Sequence, residues 1–260
     1  MKWSDEGIVV NVKTFNEKAY VLTLFCKENG KKRGLFQNSK SQNGAALISV
    51  GDIGQALWFG RLQDQLGKFS FERKHQTSLY CFQCSLKNAV FNHLYDIINI
   101  LPDSHTYPKL YELFYHINIE MQHFNSKDLI IQICLFELLL LSELGFGFDF
   151  SHCAVSGVSE VFYISPQSGQ CVSREIGIPY HSKLFIIPCF WKKLDLNEDQ
   201  IIEDFALESP QLYQELQTSL RITEFFLKKH IFEKAKNFSF SRQKIIQWIN
   251  HSCQKNDSKC

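Results

Sequence analysis

The residues that most resemble a metal site follow an apolar helix that ends at Gly145-Phe-Gly147. Cys153-Ala-Val-Ser156 and, further along, Cys171-Val-Ser173 follow that helix. A structural zinc site requires four thiolate or imidazole ligands, usually in paired knuckles. The serine hydroxyls stay protonated near neutral pH, and His152 combined with Cys171 does not repeat the spacing of a knuckle. We therefore expect no zinc and no other cofactor, and a loop held by packing and hydrogen bonds.

A run of basic side chains can bind a polyanion. Lys31-Lys32-Arg33 precedes Gly34, and Lys40 lies in the next loop. Phosphate binding through such charges is independent of base sequence and sensitive to salt. The alternative interpretation is a solvated basic turn. The predicted DNA-binding residues are Lys31, Lys32, Arg33, Lys40, Lys13 and Arg61.

Aromatic residues beside one of these bases can add a stacking platform for nucleic-acid bases. Trp58 and Phe59 stand shortly before Arg61 in the chain. The alternative is that these aromatic residues belong to a hydrophobic core. For Trp58 we favour the core.

Patterns typical of catalysis are missing from the sequence. Cys81-Phe-Gln-Cys84 is a lone CxxC without the surrounding βαβ pattern of a redox motif, so two core thiols are the simpler interpretation. The nine histidines show no HExxH spacing. Glu137 and Glu143 lie six positions apart on a predicted helix and point to different faces. We predict no catalytic residues and a protein that is not an enzyme.

The elements that must position the basic run are β-strands. Short segments of β-branched or alternating apolar residues occupy about the first 75 residues, separated by turns such as Glu28-Asn-Gly30. Five short strands in that length fit a small closed barrel of the OB type. The predicted strands are Glu6–Lys13, Lys18–Cys26, Lys31–Gln37, Val50–Phe59 and Leu66–Arg73.

The hydrophobic period becomes helical from Leu79 onward. Loops and short strands interrupt the helices at 146–190. The predicted fold class is therefore α+β, with an OB-type barrel at 1–78 and a helical domain at 79–260 that carries an inserted knuckle. The predicted helices are Leu86–Leu101, Tyr107–His123, Ser126–Leu144, Asn197–Leu207, Gln211–Phe232 and Ser241–Ser252.

The charge distribution indicates a polyanion partner for the barrel alone. The chain has a net charge of +1, but residues 1–80 hold 12 bases and seven acids, a net charge of +5, and the remainder is at −4. Nine cysteines without a signal peptide before Trp3 are typical of the reducing cytosol. The longest apolar run, Leu129–Leu141, is too short to span a bilayer. We expect a cytoplasmic protein without a membrane partner.

The apolar helix and its glycine-rich end also carry a family resemblance. The stretch from Phe136-Glu-Leu to Gly145-Phe-Gly-Phe-Asp-Phe-Ser-His-Cys-Ala-Val-Ser-Gly157 resembles the bacterial recombination and repair mediator family RecO, in its alphaproteobacterial form. Trp3-Ser-Asp-Glu-Gly-Ile-Val-Val10 and Gly30-Lys-Lys-Arg-Gly-Leu35 are similar to that family's barrel strands. Tyr163-Ile-Ser-Pro-Gln-Ser-Gly169 extends the similarity, which covers nearly the whole chain.

The resemblance implies an OB barrel, a helical body and a zinc-finger-like insert. It implies a mediator that binds single- and double-stranded DNA, promotes annealing, and works at the nucleoid with RecR and RecF to load RecA onto strands coated by the single-strand binding protein. Docking of that protein's acidic C-terminal tail on the helical body is also implied. On this analogy the DNA face is formed by Lys31, Lys32, Arg33 and Lys40. The alternative is an interaction scaffold of the same pathway with weak DNA binding, because the loop at 37–44 offers a single base.

The chain departs from the family pattern in two places. Zinc-bearing relatives carry two CxxC knuckles, and of those four positions the chain keeps Cys153 and has Ser156, Ser173 and Ile176 at the others. The insert therefore lacks most metal ligands. Some relatives carry an arginine before the aromatic-Glu-Leu of the central helix, where this chain has Leu135. Tail docking then needs another base, and the candidates are Lys109 and Lys127.

Overall fold

The computed structural model describes residues 1–17, 19–37, 48–62, 66–82, 84–193, 209–231 and 240–257. The chain forms two compact units, Met1–Leu129 and Ile130–Cys260. A closed barrel precedes the helices, so the predicted α+β class is confirmed. The division into a barrel domain that ends at residue 78 and a helical domain that begins at residue 79 stays a prediction.

Five strands form the barrel, and every neighbouring pair is antiparallel except β3 with β5. Their order is β1-β2-β3-β5-β4, and β4 closes the barrel by pairing with β1. A closed barrel leaves no unpaired edge strand. The predicted five-stranded OB-type barrel is thus confirmed. The strands are β1 Lys2–Asn16, β2 Ala19–Cys26, β3 Gly30–Gln37, β4 Asp52–Phe59 and β5 Gly67–Gln76.

A tryptophan fills one end of the barrel. Trp58 is 1% exposed and stacks on Trp3 with ring centroids 5.6 Å apart. A Cβ atom added at Gly60 or at Gly67 would lie 2.2 Å from ring atoms of Trp58. The backbone on both sides of the β4–β5 connection can therefore approach the indole only because both residues are glycine. The expectation that Trp58 belongs to the core is confirmed.

Three helices follow the barrel within the first unit. The two longer ones agree with the predicted helices Leu86–Leu101 and Tyr107–His123 to within a few residues, whereas the short helix Ser78–Cys81 was not predicted. The longest of them buries apolar residues such as Leu94 and Ile98. The buried Tyr95 hydroxyl donates to the Asn118 side chain at 2.6 Å, which ties two helices together. The helices are α1 Ser78–Cys81, α2 Ser85–Ile100 and α3 Pro108–Glu120.

The second unit is built around the apolar helix that precedes Gly145-Phe-Gly147. This helix, α4, spans Ser126–Glu143 and is buried along most of its length. A three-stranded sheet of order β7-β6-β8 forms the inserted knuckle. The predicted helix Asn197–Leu207 lies outside the described residues. The remaining elements are β6 Tyr163–Ile164, β7 Cys171–Val172, α5 Arg174–Gly177, β8 Phe185–Ile186, α6 Ser209–His230 and α7 Phe240–Asp257.

Candidate nucleic-acid interface

Two of the three bases predicted to bind DNA on β3 are buried. Lys31 is 6% exposed and donates from Nζ to the carbonyl of Asn99 at 2.6 Å. Lys32 is 5% exposed and donates to the hydroxyl of Ser104 at 2.7 Å. Burial lowers the pKa of Lys31, and the nearby Asp103 carboxylate offsets part of that effect. Both ammonium groups therefore hold the loop after α2 against the barrel in this structure.

The turn between β2 and β3 explains this docking. Gly30 adopts a left-handed φ of +64°, and its α-carbon faces the backbone of His105 so closely that a Cβ atom would lie 2.2 Å from the carbonyl oxygen. The Ser104 N–H donates to the Lys31 carbonyl at 3.0 Å. The loop backbone thus lies directly against the start of β3, and both lysines reach its polar groups.

The other predicted bases are more accessible. Arg33 has a side chain that is 62% exposed, although it pairs with Asp103 at 2.5 Å. Lys13 and Arg61 are exposed, and neither forms an ion pair with any residue in the described part of the chain. Lys40 lies outside the described residues. Of the predicted set, Lys13, Arg33 and Arg61 are thus the described residues whose charges reach solvent.

The outer face of the barrel brings together residues that the sequence analysis did not combine. Lys2 on β1 pairs in register with Phe59 on β4, and Phe59 pairs with Lys68 on β5. All three are exposed, and Phe59 is 40% exposed. Alternation along β4 would have predicted the exposure of Phe59, because the side chain that follows the buried Trp58 points outward. The cross-strand register that adds the lysines was not available from one sequence.

The knuckle around Cys153 keeps a sulfur that accepts several hydrogen bonds. The Ser156 N–H donates to the Cys153 sulfur at 3.4 Å. Burial raises the pKa of this thiol, but bonds from the Ser156 hydroxyl and from the N–H groups of Ser156, Ser173 and Val155 bring the pKa down to about 6. The thiolate is therefore the main form at neutral pH, as in a metal knuckle.

The remaining positions of the knuckle do not fit zinc. Two hydroxyls and one aliphatic side chain, those of Ser156, Ser173 and Ile176, stand at the positions where the family resemblance implies thiolates. Within the described ranges no group of three or more His, Cys, Asp or Glu residues is placed to hold a metal ion. One thiolate does not supply the ligand set that a structural zinc site requires.

The CxxC motif lies in the first unit, and its first thiol is buried. Cys81 is buried, and burial raises its pKa to about 12. A thiol that stays protonated is a poor nucleophile in disulfide exchange. The structure therefore favours the interpretation of Cys81 as a core thiol.

A groove of about 490 Å³ lies in the second unit between the segment 184–189 and α6. Among the described lining residues Arg221 is the one base, and the carboxylate of the lining Glu215 accepts the backbone N–H of Cys189. Leu135 is buried, whereas Lys109 is exposed and Lys127 is half-buried. None of the described helices is long and apolar enough to cross a membrane.

Comparison with known proteins gives matches along both parts of the chain. The family model Recombination protein O N terminal matches residues 1–74, and Recombination protein O C terminal matches residues 85–237. The DNA repair protein RecO of Wolbachia pipientis subsp. Culex pipiens is 35% identical over 89% of this chain and 92% of its own. That of Bartonella bacilliformis is 29% identical over 90% of each chain. In both comparisons about nine-tenths of each chain is covered, so the similarity extends over nearly the whole chain.

Proposed function

Because the chain belongs to the RecO family of DNA repair and recombination proteins, we propose that it is a mediator of homologous recombination without catalytic activity. It binds single- and double-stranded DNA in the cytoplasm, at the nucleoid, and promotes annealing of complementary strands. With RecR and RecF it assists the loading of RecA onto strands coated by the single-strand binding protein.

The observation that carries this proposal is a closed five-stranded barrel with solvent-exposed bases in a chain of this family. Barrels of the OB type bind single strands through a positively charged surface and aromatic side chains. Residues 1–80 supply the positive charge, at +5. The described bases proposed to contact phosphate are Lys13, Arg33 and Arg61, and Lys40 is proposed with them.

An annealing assay tests the proposal. Complementary oligonucleotides, one carrying a fluorophore and the other a quencher, are mixed with and without the full chain at low salt. We expect the protein to accelerate annealing, and the acceleration to decline as salt rises, because phosphate contacts release counterions. An annealing rate that the protein leaves unchanged at low salt contradicts the proposal.

An interaction scaffold with weak DNA binding is the second candidate. The observation that favours it is the burial of Lys31 and Lys32, since two of the bases expected at the DNA face bind the end of α2 and the loop that follows it. A salt titration of single-strand binding separates the two functions. Strong, salt-dependent binding supports the mediator, whereas retention of RecR on the immobilised chain without measurable DNA binding supports the scaffold.

For the acidic tail of the single-strand binding protein we propose the groove beside α6. Arg221 is exposed there and lies over the Phe185 ring, with Cζ 5.8 Å from the centroid. A guanidinium beside apolar surface suits a peptide that ends in a hydrophobic residue and a carboxylate. Fluorescence polarisation with a labelled tail peptide should show weaker binding by Arg221→Gln than by the wild type. A matched Lys109→Gln variant should bind like the wild type, and the reverse pattern would place the tail at Lys109.

A further inference from the structure

A row of three exposed residues crosses the outer face of the barrel, with an aromatic ring between two ammonium groups. Lys2, Phe59 and Lys68 are direct partners across β1, β4 and β5. Side chains of directly opposed residues on one face lie about 5 Å apart at Cβ. Lys2 Nζ lies 5.3 Å from the centroid of the Phe59 ring.

The position of the ring is fixed by the buried end of the barrel. Trp58 packs inward against Gly60 and Gly67, so the preceding and following side chains must point outward. Met1 and Gly60 bond to each other twice, from the Met1 ammonium to the Gly60 carbonyl at 2.6 Å and from the Gly60 N–H to the Met1 carbonyl at 3.1 Å. These bonds hold Lys2 beside Phe59.

The charge around the ring is positive. Lys2, Lys68 and Arg61 form no ion pair with any residue that the structure describes. The acids that share this face on β1 and β5 are Glu6 and Glu72, four residues along each strand. That separation is about 13 Å, more than the screening length of about 8 Å at physiological salt. Among the described residues the positive charge of this row therefore has little local cancellation, so the row attracts anions.

We propose that Lys2, Phe59 and Lys68 form a stacking site for an unpaired base of single-stranded nucleic acid, with the ammonium groups and Arg61 on the flanking phosphates. The inference rests on the proposed DNA-binding function and specifies one contact surface for it. A base stacked on an aromatic side chain is bound more strongly than an exposed ammonium in a cation–π contact. The base therefore displaces Lys2 from the ring, and the freed ammonium reaches phosphate.

The test compares three ligands of equal length by fluorescence anisotropy: oligothymidylate, an abasic oligonucleotide and a duplex. The full chain is used as wild type, Phe59→Leu, Phe59→Trp and Phe82→Leu. Phe82 is 82% exposed and follows α1, outside the barrel, so Phe82→Leu is the matched control. We expect Phe59→Leu to weaken oligothymidylate binding by about five- to tenfold. Duplex and abasic binding should stay as in the wild type, and Phe59→Trp should restore the loss.

The results of this test distinguish the failure of the stacking site from the failure of the proposed DNA-binding function. If the wild type binds DNA and Phe59→Leu binds oligothymidylate as tightly as the wild type, the stacking site is wrong and the DNA-binding function stands. If the wild type binds none of the three ligands, both are wrong. Oligouridylate in place of oligothymidylate shows whether the site accepts RNA as well as DNA. A loss for Phe82→Leu equal to that for Phe59→Leu would also overturn the site.

Discussion

Arg242 donates to both carboxylate oxygens of Glu137, from Nε at 2.9 Å and from Nη2 at 3.1 Å. Neither side chain is more than 1% exposed. Glu137 also accepts the hydroxyl of Thr223, and Arg242 reaches Glu224 at 2.6 Å from Nη1. Burial alone lowers the pKa of Arg242, but the two glutamates outweigh it and raise that pKa. This network joins α4, α6 and α7, and gives the buried carboxylate of α4 a structural role.

Removing one partner of this pair should be costly. Arg242→Met leaves the Glu137 carboxylate buried without its counter-ion, so we expect the free energy of unfolding to fall by about 3–5 kcal/mol. The double variant Glu137→Leu with Arg242→Met removes both charges and should recover most of the loss. Urea unfolding followed by circular dichroism measures both effects.

The control residue for this experiment is Lys228, which donates to Glu224 as Arg242 does. Lys228 bonds to Glu224 one turn away on α6, and its side chain is 55% exposed. Lys228→Met should cost no more than about 0.5 kcal/mol. Equal losses for Arg242→Met and Lys228→Met would show that burial does not strengthen the network.

Stability of the second unit should depend on pH through Cys153. Its folded pKa is about 6, whereas an unfolded cysteine titrates near about 8.5. Between these values the unfolded state binds more protons, so stability rises with pH and is lost as pH falls through the folded pKa. The difference in unfolding free energy between wild type and Cys153→Ala should therefore grow from about pH 6 to about pH 8.

The matching control is another buried thiol of the same unit. Burial raises the pKa of Cys134 to about 12, so this thiol stays protonated in the folded state over that range. Cys134→Ala should cost the same at both pH values. A Cys153→Ala loss that is equally flat would contradict an ionised Cys153.

The sequence predicted the elements well because their signals are local. Alternation of apolar residues marked the barrel strands, and a glycine-ended apolar run marked α4. The partners of Lys31 and Lys32 could not be predicted, since Asn99 and Ser104 lie about 70 residues away in the chain. A basic run has the same pattern whether its ammonium groups meet phosphate or backbone carbonyls. Cross-strand register, which places Lys2 beside Phe59, is likewise a property of the closed barrel and not of any single segment.

Buried and exposed bases should therefore respond differently to the same substitution. Arg61→Gln removes an exposed charge, so we expect the slope of log K against log salt for single-strand binding to fall by about 0.7, with stability unchanged. Lys32→Gln removes the donor to Ser104 and should lower the free energy of unfolding by about 1–3 kcal/mol, with the slope unchanged. Salt titrations and urea unfolding on both variants measure the two quantities. If Lys32→Gln lowers the salt slope and Arg61→Gln does not, then Lys32 contacts DNA despite its burial.

The knuckle should regain a metal site if its thiolates are restored. The N–H groups of Ser156 and Ser173 both donate to the Cys153 sulfur, so both turns already converge on one point. The triple variant Ser156→Cys, Ser173→Cys and Ile176→Cys should bind about one zinc per chain, measured by elemental analysis after dialysis. The wild type and Ser156→Cys alone should retain almost none, because one or two thiolates do not complete tetrahedral coordination. A wild type that retains about one zinc per chain would mean that non-thiolate ligands hold the metal, and a metal-free triple variant would mean that the two turns do not converge closely enough for four sulfurs.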